Sequence, residues 1–115
     1  MNIYIICPVQ NLIPEWRKYL EDFAETFESY GHKVHLPFRD VDQADPTGLR
    51  VCNENAVALK NADIVYAAFD GKSRGCLFDL GMAFVLGKKI VPIGNFFPPK
   101  TTGKSIENVG DYIHN

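Results

Sequence analysis

The chain has 115 residues, enough for a single domain over 1–115 with a hydrophobic core that needs no metal or disulfide to hold it. With 46% apolar and 23% charged residues, a net charge of −2 and a pI near 5.9, it has no electrostatic basis for binding a nucleic-acid polymer, and its lysines and arginines are scattered. Three cysteines without C-x-x-C spacing exclude a disulfide framework, no stretch is built to span a membrane or serve as a leader, and a soluble, cytoplasmic protein with a small polar partner is expected.

The first element is "NIYIIC", residues 2–7, a short apolar and β-branched run that reads as a buried strand. Residues 14–30 place Trp16, Tyr19, Leu20, Phe23, Phe27 and Tyr30 on one helical face, with Pro14 in the first turn and Gly31 just past the end. "KVHLPF" reads as the second strand and "RDVDQADPTG" as a loop. His32 and His35 read as a strand-edge pair, because no acidic or cysteine cluster beside them completes a metal site.

Asp45-Pro46 can cap and start a second helix running to about Asn61, with Leu49, Cys52, Ala56 and Leu59 as its apolar stripe. "DIVYAAF" is a third strand, the apolar segment from Leu77 a third helix, and "KIVPIG", 89–94, a fourth strand. "FPPKTTGKS" reads as a loop and "DYIH" as a possible fifth strand.

Strands alternating with helices predict an α/β fold, an open parallel sheet of flavodoxin-like order 2-1-3-4, with helices on both faces. Ligands of such sheets bind beyond the strands' carboxyl ends, where the order reverses. That rule selects the loops after Cys7, Phe38, Phe69 and Gly94.

The richest of these leads into "SRGCLFDLGMAFVLGKK", 73–89, in which Asp79 is a lone charge inside an apolar run. Two readings stay open from the residues alone. Asp79 is an N3 acid closing a capping box on Cys76 or Gly75, or it is a nucleophile held ionised in an apolar crevice. Asn55, on or beside an apolar stripe, needs a hydrogen-bond partner, which a neighbouring loop or a ligand can supply. Tyr4 reads first as a core aromatic, and Arg39-Asp40 as a local ion pair.

Taken together, "LPFRD", a helix ending "NAD" before "IVYAAFDG", and "SRGCLFDLGMAFVLGKKIV" resemble the nucleoside 2-deoxyribosyltransferase family, which includes N-hydrolases of deoxynucleoside 5′-monophosphates. The likeness covers about residues 2–95 and is strongest over 62–91. It implies that Asp79, where the family usually has glutamate, attacks the anomeric carbon, and that Tyr4 orients it. It further implies that Asn55, where the family carries a second acid, meets the sugar and that Asp70 contacts the base. Ser73 and Gly75 would face the 5′ end, with Gln10 standing where the hydrolases use arginine and Arg39 or Arg74 supplying positive charge instead. Ser105 and Asn108 match a tail that reaches a neighbouring subunit's site, so a homodimer or higher homo-oligomer is implied, with no metal or organic cofactor. Asn55 and the shortened acid favour an alternative, a non-catalytic nucleotide-binding module on the same fold. A phosphorylated receiver domain is excluded because Cys7-Pro8-Val9-Gln10 stands where its magnesium-binding acids would be, and only the fold itself argues for a flavin protein.

Overall fold

The computed structural model describes residues 1–93 and 97–113. Asn2–Ile6 forms β1, whose residues 3–6 are all buried, as a strand covered on both faces demands. Pro14–Ser29 forms α1, with Pro14 at the helix start where a missing N–H costs nothing. Gly31, at φ 89°, turns the chain out of α1 toward β2, Lys33–His35. Pro37–Asp40 then makes the short helix α2, and Leu49–Asn61 makes α3. β3 (Ile64–Ala67), α4 (Arg74–Val85), β4 (Ile90–Pro92) and α5 (Ile106–Ile113) follow.

The four strands are parallel in the order β2-β1-β3-β4, the topology expected from the sequence. Alternation along the strands divides the core. Tyr4, Ile6, Val65, Ala67 and Ile90 pack with Leu59, Cys76, Leu80 and Ala83 beneath α3 and α4. Ile3, Ile5, Val34 and Ala68 pack with Leu20 and Ala24 of α1 on the opposite face. Leu20 is fully buried, and such a side chain contributes about 1.5–3 kcal/mol through burial alone.

Several sequence expectations are corrected. The second strand ends at His35 rather than Phe38, because Pro37 starts a helical turn and Asp40 accepts the Leu36 N–H at 2.8 Å. The centre of α1's inner face is Leu20 and Ala24, while Tyr19 and Tyr30 are exposed. α3 starts at Leu49, itself exposed, although Asp45 still accepts the Val51 N–H across the entry loop. In the tail, 111–113 belong to α5 and not to a strand, so the sheet has four strands among the described residues. Gly94 and the start of the loop after it, and His114 of the expected fifth strand, lie outside the described residues.

Candidate active site

The helix α4 begins three residues earlier than the apolar run suggests. Ser73 is its N-cap, and its hydroxyl accepts the Cys76 N–H at 3.2 Å. Asp79 is therefore not in the first turn, and the capping-box reading of that carboxylate is corrected: Ser73 does the capping. Asp70, three residues past the end of β3, accepts the N–H groups of Lys72 and Ser73 at 2.9 and 2.8 Å, which folds the loop that delivers α4.

This start rotates Asp79 inward beside Leu80 and Cys76. It is only 9% exposed, and it and Asn55 are the buried polar side chains among the described residues. The Tyr4 hydroxyl donates to Asp79 Oδ2 at 3.0 Å. Burial pushes the Asp79 carboxyl up to about 6, against the opposing pull of the Tyr4 hydrogen bond. Tyr4 in turn is driven far above the ordinary phenol range, first by burial and then by the adjacent carboxylate. It remains a donor at any working pH. The thiols of Cys7 and Cys76 are also raised by burial, Cys76 to about 12, so neither competes as a nucleophile.

β1 and β2 pair with Tyr4 opposite His35, and the two rings stack with centroids 4.9 Å apart. His35 Nε2 lies 3.2 Å from Asn55 Oδ1, a hydrogen bond in which the ring donates when its proton is on Nε2. Asp79, Tyr4, His35 and Asn55 thus form one connected chain from α4 through β1 and β2 to α3. His35 also lines an open groove with Asp40, Val41, Asn53, Glu54 and Val57. The sequence reading missed His35, and the signal available was the strand end: a strand closing at residue 35 puts this ring at the sheet's carboxyl edge.

The remaining candidates are more dispersed. Ser73 is half-buried and Gly75 exposed at the start of α4, with Arg74 exposed between them. Gln10 is exposed in the turn after β1. Arg39 is committed elsewhere. Its guanidinium donates to both Glu28 oxygens, to Asp40 and to the Val34 carbonyl, so it braces α1 against the β2–α2 corner rather than facing the chain of site residues. Arg39→Ala is expected to lower stability by about 1 kcal/mol, read as a lower urea midpoint, because the bidentate pair sits in a network rather than alone. Asn108 closes its own loop, accepting the Thr101 N–H and donating to the Gly103 carbonyl, both at 2.7 Å. Ser105 Oγ is buried and without a hydrogen-bond partner among the described residues.

Two solved structures share this fold. The CMP N-glycosidase of Clostridium botulinum is 21% identical, with 78% of this chain and 68% of that chain covered and a TM-score of 0.58. The 2-deoxyribosyltransferase of the psychrotolerant bacterium Bacillus psychrosaccharolyticus is 22% identical, covers 78% of this chain and 69% of its own, and gives a TM-score of 0.60. Comparison with curated proteins gives no match. The model of the family described as nucleoside 2-deoxyribosyltransferase matches residues 3–111, which takes in β1 from its second residue, β2, β3, β4 and the whole Tyr4–Asp79 arrangement. The chain belongs to the nucleoside 2-deoxyribosyltransferase family.

Proposed function

We propose that the protein cleaves the N-glycosidic bond of a 2′-deoxynucleoside or its 5′-monophosphate and passes the deoxyribose to another base or to water. The observation that carries this reading is the buried Asp79 carboxylate, held by the hydroxyl of Tyr4 in the middle of β1 at 3.0 Å. A carboxyl near 6 is ionised at neutral pH yet poorly solvated, the state a carboxylate nucleophile requires. In this mechanism an Asp79 oxygen forms a bond to C1′ as the C1′–N bond breaks, and the electron pair of that bond leaves with the base. The negative charge stabilises an oxocarbenium-like transition state, and a glycosyl ester results. The acceptor, a second base or water, then displaces Asp79 and loses its proton. No metal or organic cofactor takes part in this scheme.

Asn55 would meet the sugar and Asp70 the base, while Ser73 and Gly75 would offer a hydroxyl and a helix-start N–H to the 5′ end. Gln10 is a weaker phosphate anchor than an arginine would be, which keeps free nucleosides among the substrates to test. The experiment is chromatographic detection of free base from a panel of deoxynucleosides and their monophosphates, with and without an acceptor base. Release that requires the acceptor identifies a transferase, and release without it a hydrolase. Binding of the panel without any release of base would instead favour a nucleotide-binding module.

The assembly we propose is a homodimer through α4. Its outer side presents Leu77, Phe78, Phe84 and Val85, at 50, 57, 51 and 85% exposure, large apolar side chains on the helix that carries Asp79. Val85→Glu with Phe84→Lys is expected to convert a dimer to a monomer in multi-angle light scattering. An unchanged mass would show that this face does not hold the assembly.

A further inference from the structure

We infer that His35 is a positioning residue for this site, setting which end of the Asn55 amide faces the substrate while its ring backs the Tyr4 ring that orients Asp79. The inference rests on the reaction proposed above. Asn55 is 6% exposed, and an amide that deeply buried can turn either its oxygen or its NH2 into the site unless a neighbour decides. His35 decides it. With its proton on Nε2, the ring 3.2 Å away donates to Oδ1, which leaves the NH2 group as the end for a ligand. Asn55 then acts as a hydrogen-bond donor to an oxygen of the sugar, the opposite polarity from a carboxylate at the same place.

The geometry also explains why a histidine serves here. The parallel register sets residue 35 directly beside Tyr4, and α3 brings Asn55 over the same face. A flat ring can stack on Tyr4 at 25° and still carry an N–H at its edge toward α3. Phenylalanine could supply only the stack, and glutamine only the donor. His35 does not touch the reacting atoms. It acts through Asn55, which meets substrate, and through Tyr4, which meets the nucleophile.

The test is a double-mutant cycle on kcat/KM for base release with wild type, His35→Phe, Asn55→Ala and the two combined. Each single change is expected to lower kcat/KM about tenfold, the scale of a buried hydrogen bond lost. The combined variant should fall no more than about threefold below Asn55→Ala, because a donor whose acceptor is gone has nothing left to position. His35→Gln should recover part of the loss in KM that His35→Phe shows. Multiplying effects near a hundredfold, or a His35→Phe variant with wild-type kcat/KM, would overturn the inference. Two-bond proton–nitrogen correlations on wild-type His35 supply a second reading that needs neither turnover nor a folded variant. A proton on Nε2 is expected, and a proton on Nδ1 alone would overturn the assignment of the amide. If wild type releases no base from any substrate, the proposed reaction fails by that result, while the tautomer still decides the part that concerns His35.

Discussion

Asp79→Asn is expected to lower base release by about 10⁴-fold or more, and at the same time to make the protein more stable at pH 8. The first effect follows from its role. An amide cannot form the glycosyl ester, and removing a nucleophile costs far more than removing any one group that supports it. The second follows from burial. The carboxyl lies near 6 in the folded protein and near 3.8 in an unfolded chain, so the folded state holds its proton more tightly. Wild-type stability therefore declines as pH rises from about 4 to about 6, and the loss persists at higher pH. A shift of about two units corresponds to roughly 3 kcal/mol at most. Asparagine does not titrate and can still accept the Tyr4 hydrogen bond through Oδ1. The gain should be on the order of 5–15 °C in Tm at pH 8 and vanish near pH 4. Thermal melts at both pH values, beside the base-release assay, test the two halves separately. Equal melting temperatures at pH 8 would mean that the carboxylate is not desolvated, and surviving release would remove Asp79 from the chemistry.

The contrast between what the residues revealed and what they concealed has a physical basis. Strand–helix alternation and the apolar runs at 2–7, 63–69 and 89–94 are enough for a parallel sheet, and the flavodoxin-like order expected for it, 2-1-3-4, is the one observed. Asp79 was legible because one charge in an otherwise apolar helix demands a reason. The boundaries were not. "SRG" has the composition of a loop, yet Ser73 caps a helix that contains the other two residues, and Pro37 ends β2 earlier than the apolar "LPF" suggests. Those shifts decide chemistry: the first moves Asp79 out of the capping position, and the second brings His35 to the edge of the sheet. Long-range partners were beyond sequence patterning, and only the family resemblance pointed to one of them, Tyr4 beside Asp79. Tyr4 and Asp79 are 75 positions apart, His35 and Asn55 are 20 apart, and Arg39 turns back to Glu28 rather than toward the site. Such contacts arise from strand register and helix packing, which one sequence does not display.

Tyr4→Phe should give a different phenotype from Asp79→Asn, moving the pH profile as well as the rate. The Tyr4 hydroxyl donates to Asp79 Oδ2 and holds that carboxyl lower than burial alone would place it. Without the hydrogen bond the charged form loses a partner while the desolvation stays, so the carboxyl moves above about 6. A nucleophile must be ionised, and kcat/KM falls below its pKa as the proton returns. The acid limb of the variant is expected to move up by about one unit. At pH 8, where Asp79 is mostly ionised in both proteins, the rate should still drop about tenfold, because nothing then fixes which oxygen faces C1′. At pH 5.5 the two effects combine to about a hundredfold. The phenol is held far above its ordinary range, so Tyr4 itself contributes no limb between pH 5 and 9, and any movement of the profile belongs to Asp79. Single-turnover rates across that range provide the measurement. A uniform drop with an unmoved acid limb would mean that Tyr4 only fills space behind the nucleophile, whereas a displaced limb would show that its hydrogen bond sets the charge on which the reaction depends.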